Sequence, residues 1–420
     1  MDSSKKIRIL YIGPIPPEVG GQSAGGVATY EWQLANQANK KGYDVYIYAD
    51  GEKSFVRDEV KVVGIAPYRK FIKLLHGLLV ALMRRNKMES LRFLTFKKRV
   101  ALFYRANLLK TVLKVANPEL VHINLMSSMY IISLSILRNH PPIVITEHGD
   151  GVIFRNKRFR EFKIKNINDH RSRLIEAANR ANCIISVSNY SREQLIAEVL
   201  DSFDDTKKIK AILNPVDIAK IRLYDRNEVK ERLYLGSKRL VFFSGVHLPL
   251  ENKGLGILLE AFATDDYLYK KCRLLVVTRG EAITFARNFA EEKDIDALIL
   301  KPQPWENMVK YYNASDVFVM PSRTEGIGLV YEEALSVGVP IVGFSDSVGE
   351  LEQVLGTYIG EKFDASKEDA KALAEKIRKV LNTDFDRELL RRRMIEKLSW
   401  EAKFPEFDAI YQGVLGRRVL

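Results

Sequence analysis

Apolar residues along this chain fall into two alternating patterns. Short, nearly unbroken apolar runs occur at Ile7–Ile12, Val45–Ala49, Val60–Ile65, Glu119–Asn124, Ile143–Thr146, Cys183–Ser188 and Ile209–Leu213. They resume at Leu240–Phe243, Leu274–Thr278, Ala297–Leu300, Asp316–Met320, Val339–Val342 and Thr357–Ile359. Runs of that length between turn residues predict strands buried on both faces. Between them lie stretches with helical spacing: Val27–Lys40, a helix from Lys98 to Val115, Arg192–Leu200 opened by an Asn189-Tyr190-Ser191 cap, a helix ending at Phe262, Trp305–Asn313, and helices from Lys367 to Lys397. Strand–helix alternation of this kind predicts an α/β chain with parallel sheets. At 420 residues two domains are expected.

The densest patterning lies in Met320–Gly343, MPSRTEGIGLVYEEALSVGVPIVG. Leu329, Val330, Ala334, Leu335 and Val337 keep helical spacing, and Gly338 and Pro340 end the helix. Before it stands Glu325-Gly326-Ile327-Gly328. Glycines at that point let a ligand approach the backbone, and free N–H groups at a helix start attract phosphate. Glu325 and Glu333 frame the helix start; eight residues of helix rise by up to about 12 Å. A retaining glycosidase needs carboxyl groups about 5 Å apart. The spacing instead suits the two ends of a long polar ligand with a phosphate between them.

Three other loops carry candidate chemistry. GPIPPEVGGQSAGG follows the first strand and delivers Gly25-Gly26 to the start of a helix, a βαβ arrangement with a phosphate-compatible turn. Thr146-Glu147-His148-Gly149-Asp150 ends another strand at the edge where α/β sites are built. Ser244 to Gly254 leads from a strand through Lys253-Gly254 into a helix. The other five histidines show no metal-ligand spacing, and no Asp-x-Asp pair stands at a strand end.

PSRTEGIGLVYEEALSVGVPIVG resembles the nucleotide-sugar site of retaining GT-B glycosyltransferases of family 4, the E-x7-E group, with EGIG in place of the usual EGFG. The resemblance implies two Rossmann-like domains facing each other across a cleft, with residues 1–214 on the acceptor side, 215–400 on the donor side, and a helix over 401–420 crossing back. It implies that Glu325 faces the donor sugar hydroxyls and Glu333 the ribose. Arg323, Gly326, Ile327, Gly328 and Leu329 would line the donor, Gly25 and Gly26 would close over its phosphates, and His148 would meet the acceptor or the transferring sugar. Lys253 matches the family's phosphate lysine. Val246 stands where the family has a phosphate arginine, so Arg279 or Arg323 is expected to substitute. Ser347-Val348-Gly349-Glu350 keeps one glycine of a Gly-Gly loop, and Asn214-Pro215-Val216-Asp217 and Ser399-Trp400-Glu401 match the domain crossover and the late S-W-E. The implied activity is sugar transfer from a UDP- or GDP-sugar to a glycan or lipid-linked acceptor, with no metal and no other cofactor. An epimerase on the same fold is disfavoured by E-x7-E. A phosphorylase needs a cofactor lysine in a longer chain, and a catalytically weak membrane-docking or scaffold relative is the alternative.

Charge changes the picture in one place. The net charge is +13, and Tyr68–Lys114 holds 13 Lys/Arg against one acid, Glu89. Within it Phe71, Leu74, Leu75, Leu78, Leu79, Leu82 and Met83 keep amphipathic helical spacing, with Arg69, Lys70, Lys73, Arg84, Arg85 and Lys87 at the flanks. A second basic stretch runs from Arg155 to Arg173. A basic helix with a continuous apolar face points to an anionic membrane surface rather than to nucleic acid. No stretch reaches 18 apolar residues, and Ile7–Ile12 is too short for a signal peptide. With Cys183 and Cys272 reading as buried thiols, a cytoplasmic protein peripheral on the inner face of the membrane is expected.

Overall fold

The computed structural model describes residues 6–22, 25–65, 70, 72–75, 77–78, 80, 95–137, 139–155, 161, 166–201, 203–245 and 250–417. The chain divides into two compact units, Met1–Leu213 with Phe404–Leu420, and Asn214–Lys403.

Among the described residues the first unit has eight strands: β1 Arg8–Ile12, β2 Asp44–Tyr48, β3 Phe55–Arg57, β4 Val60–Val62, β5 Leu120–Ile123, β6 Ile143–Glu147, β7 Cys183–Ser186 and β8 Ile209–Ala211. They lie in the order β3-β4-β2-β1-β5-β6-β7-β8. All pairs are parallel except β3 with β4. That hairpin adds β3 ahead of the run expected at Val60–Ile65, of which Val60–Val62 forms β4. Its turn uses Asp58 and Glu59, both with left-handed backbone (φ 50° and 63°), so no glycine marks it in the sequence. The central strands are buried throughout, as their unbroken apolar runs require.

One polar side chain sits in that core by being fully satisfied. His122 in β5 shares a hydrogen bond of 2.7 Å with the Tyr411 hydroxyl and another of 2.7 Å with Thr146 Oγ1. Burial pushes its pKa down to about 3, so the imidazole is neutral. Tyr411, from the helix Trp400–Val414, also shares a hydrogen bond with Tyr11 in β1. The last helix is therefore fastened to the first unit through a buried Tyr–His–Tyr chain.

The second unit carries six parallel strands: β9 Arg239–Ser244, β10 Cys272–Val277, β11 Ala297–Leu300, β12 Val317–Met320, β13 Ile341–Phe344 and β14 Gly360–Phe363, in the order β11-β10-β9-β12-β13-β14. Asp316 fixes the entry to β12. It accepts from the Leu240 amide at 2.8 Å, from Arg226 at 2.6 Å and from Lys230 at 2.7 Å. Strand order reverses between β9 and β12 here, and between β1 and β5 in the first unit. Ligands of open parallel sheets bind beside such switch points.

Several boundaries depart from the sequence expectation. The strand expected at Val339–Val342 is β13, two residues later, because Gly338 turns left-handed (φ 75°) and Pro340 offers no amide to the ladder. The last strand is Gly360–Phe363, not Thr357–Ile359; its GEKF sequence has no apolar run to reveal it. Ser347–Glu350 is not a loop but part of the helix Ser345–Leu355. The cap of the helix Asn189–Glu198 is Ser188, whose hydroxyl accepts from the Ser191 amide at 2.9 Å, rather than Asn189-Tyr190-Ser191. Helices at Met129–Ser135, Asp150–Arg155 and Ile167–Arg180 were not among those expected, although the last keeps helical spacing at Ile167, Leu174, Ala177 and Ala178.

Candidate functional site

In the second unit, the turns that leave β9 and β12 pack against each other at the switch point. Gly254, with φ of 75°, comes so close to the turn after β12 that a Cβ there would lie 2.1 Å from the Pro321 carbonyl oxygen. The Arg323 amide donates to the Asn252 carbonyl at 2.8 Å, closing the junction. This close approach is what brings Lys253 to Glu325. Lys253 Nζ lies 2.5 Å from Glu325 Oε1, and both side chains are mostly buried. The two residues are 72 positions apart in sequence.

The helix Leu329–Ser336 begins at Gly328, which adopts left-handed backbone (φ 84°) and supplies no side-chain cap. The helix start is positioned by Tyr331. Its hydroxyl donates to the Met320 carbonyl at 2.5 Å and accepts from the Phe344 amide at 3.0 Å, tying the ends of β12 and β13 to the helix. Gly343 leaves room for that ring; a Cβ there would sit 2.5 Å from it. Ile327 is buried at 2% exposure and anchors the turn, while Gly326, Gly328, Leu329 and Val330 are partly exposed around it. Glu333, on the same helix, accepts from the Tyr312 hydroxyl at 2.6 Å. Burial pushes its pKa up to about 7 and the tyrosine hydrogen bond pulls it back down. Glu325 and Glu333 thus face different partners, and neither is a freely solvated surface carboxylate.

The structure places Arg279 just beyond β10 and Arg323 just beyond β12, both exposed. Val246, the position of the expected family arginine, lies outside the described residues. Among the described residues no group of three or more His, Cys, Asp or Glu side chains is arranged to hold a metal ion.

In the first unit, Gly25 stands with φ of 134° at the start of the helix Gly26–Lys40, again without a side-chain cap. Tyr30, one turn into that helix, meets His148 edge to face with ring centroids 5.0 Å apart. The helix opened by Gly25-Gly26 and the loop after β6 are therefore neighbours, as the strand–loop–helix order suggests. Burial lowers the His148 pKa to about 4, and among the described residues its Nε2 has no hydrogen-bond partner. The imidazole is therefore held neutral, with this unpaired ring nitrogen buried.

Two residues here escaped sequence reasoning. Glu31 is fully buried beside the β1–β5 switch point, takes a hydrogen bond from Asn124, and fills the space that Gly13 leaves empty. Its other oxygen has no partner among the described residues, and burial raises its pKa to about 8. The available signal was an acid on the apolar face of the helix over Val27–Lys40. Glu147, next to His148, is consumed by structure: it accepts from the Gly149 and Asp150 amides and from the Ser186 and Ser191 hydroxyls.

The basic segment is seen in part. Residues 70, 72–75, 77–78 and 80 are helical. Gly77 is buried against the Tyr104 backbone, where a Cβ would lie 2.8 Å from the amide nitrogen. Ile72, Leu74, Leu75 and Leu78 are 61, 43, 52 and 39% exposed. Phe71, Leu79, Leu82, Met83, Arg69, Arg84, Arg85 and Lys87 lie outside the described residues, as does most of the basic stretch after Arg155. No helix among the described residues is long and apolar enough to cross a membrane.

Both halves of the chain match known families. Residues 24–220 match the family described as Glycosyltransferase Family 4, and residues 225–398 match Glycosyl transferases group 1. The capsular polysaccharide biosynthesis glycosyltransferase CapM of Staphylococcus aureus is 27% identical over 48% of this chain and 53% of its own length. The chain thus spans about half the length of that relative. A D-inositol 3-phosphate glycosyltransferase of Saccharomonospora viridis is 25% identical over 80% of this chain and 78% of its own length. Among solved structures, sucrose-phosphate synthase of Thermosynechococcus elongatus superposes with a TM-score of 0.70 at 17% identity, covering 98% of this chain and 100% of that one. Anabaena HepE in complex with UDP and glucose gives 0.69 at 14% identity, covering 97% and 100%. With both halves matched and the GT-B fold shared along the whole chain, this protein belongs to the family 4, group 1 glycosyltransferases.

Proposed function

We propose that this protein transfers a sugar, with retention of configuration, from a UDP- or GDP-sugar to a glycan or lipid-linked acceptor at an anionic membrane surface. The observation that carries the proposal is the Lys253–Glu325 pair, 2.5 Å apart beside an uncapped, glycine-led helix start. Lys253 and the helix amides supply positive charge where the leaving diphosphate develops its negative charge. Glu325 accepts from the donor sugar hydroxyls and Glu333 from the ribose hydroxyls. Arg323, Gly326, Ile327, Gly328 and Leu329 complete the donor turn. Gly25, Gly26 and His148 serve the phosphates and the acceptor from the first unit, and either Arg279 or Arg323 supplies the second phosphate cation. Transfer runs without a metal ion.

The names of relatives support the substrate classes. CapM is named for capsular polysaccharide biosynthesis, and a relative in Mycolicibacterium smegmatis for GDP-mannose-dependent transfer to a phosphatidylinositol monomannoside. Exposed Ile72, Leu74, Leu75 and Leu78 on a basic segment support a peripheral place on the cytoplasmic face of the membrane, with a role in cell-envelope polysaccharide or glycolipid synthesis.

Calorimetry with free UDP and GDP, with and without a chelator, tests the donor site. Lys253→Ala is expected to weaken nucleoside diphosphate binding more than Arg279→Ala or Arg323→Ala, and at least one of the two arginine variants to weaken it measurably. Unchanged binding in Lys253→Ala would overturn the phosphate assignment. Binding that disappears with the chelator would overturn metal independence.

A further inference from the structure

We propose that Tyr312 is a positioning residue for the nucleotide: its phenol holds one oxygen of Glu333 so that the other is presented to the ribose hydroxyls. The inference rests on the donor-site assignment of Glu333 made above and adds a residue that the E-x7-E pattern does not contain.

Tyr312 belongs to the helix Trp305–Ala314 and is 1% exposed. Its ring is fixed from two sides, edge to face with Phe242 of β9 at 5.1 Å and tilted against Phe318 of β12 at 5.7 Å. The hydroxyl therefore has little freedom, and it donates to Glu333 Oε2 at 2.6 Å. Burial and the neighbouring carboxylate push the Tyr312 pKa well above its ordinary value, so the phenol keeps its proton and acts as a donor throughout the working range of pH. Glu333 Oε1 takes no hydrogen bond among the described residues, which leaves it open to a ligand hydroxyl.

The second consequence is electrostatic. Glu333 must be ionised to accept strongly from a diol. Burial works against that charge, and the Tyr312 hydrogen bond is the interaction that favours it. Other groups around this helix do not supply the same help. Glu332 is adjacent on the helix itself, and its charge would oppose that of Glu333. Strand β13, packed on the helix, has no titratable side chain. From the helix Arg387–Leu398, Arg391 is directed to the Ser336 and Ile221 carbonyls, at the far end of the helix.

The test is calorimetry of Tyr312→Phe, which keeps the ring and its packing, between pH 6.5 and 9. Free UDP and GDP and their 2′,3′-dideoxy analogues are the probes, with Glu333→Gln as reference. The expected result is roughly tenfold weaker binding of the ribonucleotides at pH 7, recovering towards wild type as the pH rises, with the dideoxy analogues bound alike by both proteins. Equal losses for ribo and dideoxy forms, or a wild-type affinity and pH profile in Tyr312→Phe, would overturn the inference. If Glu333→Gln itself binds every probe like the wild type, the donor-site assignment fails first and takes this inference with it. The wild type alone offers a second check: its ribonucleotide affinity should rise between pH 6.5 and 8, and a flat profile counts against the proposal even if Tyr312→Phe does not fold.

Discussion

Among single residues, Glu332 is costly to bury. It is fully buried, and among the described residues neither carboxyl oxygen has a hydrogen-bond partner. Burial, reinforced by Glu333 and Glu350, pushes its pKa well above the ordinary carboxylate range, and Lys403 only partly offsets this. A carboxyl whose folded pKa is raised favours the folded state below its unfolded pKa and loses that contribution as the pH rises. Glu332→Leu is therefore expected to stabilise the protein by about 1–3 kcal/mol. The gain should widen from pH 5 to pH 8, as read from urea midpoints. A constant or negative difference across that range would contradict the account. Glu325 and Glu333, on the same turn and helix, each have a specific hydrogen-bond partner, Lys253 and Tyr312. The sequence singled out these two carboxylates as candidates, through their spacing around a glycine turn and the resemblance carried by that turn. It gave no sign that Lys253 and Tyr312 are the groups that hold them, since both contacts are made by folding and have no fixed offset in the chain.

Among elements, the glycine-led turns decide whether the proposed donor site can form. Gly254 combines left-handed backbone with a backbone oxygen where a side chain would start. Gly254→Ala should cost about 2 kcal/mol or more and abolish nucleotide binding, whereas Lys253→Ala should keep a wild-type melting temperature within a few degrees while binding weakly. Similar melting temperatures for the two variants would contradict this division of labour. Elements with a long apolar run were legible: β1, β5, β6, β9, β10 and β12 all lie where the hydrophobic pattern puts them. Those without one were not. β14 is polar at Glu361 and Lys362, and the β3–β4 turn is made by Asp58 and Glu59 rather than by glycine. The helix Ser345–Leu355 was mistaken for a loop because its first turn carries Ser, Asp and Gly, residues that favour turns. The wedge of Tyr331 between Gly328 and Gly343 could not be read from spacing, because it depends on where β12 and β13 end.

For the whole molecule, the net charge of +13 is concentrated in the first unit's basic segment. Each basic residue near an anionic surface contributes about 1 kcal/mol, so a handful is enough for salt-sensitive docking. The exposed Ile72, Leu74, Leu75 and Leu78 add apolar insertion. The protein should sediment with vesicles containing anionic lipid and be released by raising salt, and replacing Ile72 and Leu75 by Ser should weaken recovery at low salt. Equal recovery with neutral and anionic vesicles would contradict docking of this kind. Salt-sensitive binding to RNA but not to vesicles would reassign the basic surface altogether. The central claim, a nucleotide-sugar site built on Lys253, Glu325 and Glu333, is tested most directly by turnover. Purified wild type, Glu325→Ala and Glu333→Ala should be incubated with a panel of UDP-, GDP- and ADP-sugars, and release of the nucleoside diphosphate measured. One donor class should be consumed by the wild type, and both variants, folded by circular dichroism, should lose at least about 100-fold in rate. Near-normal turnover in both folded variants would contradict the account.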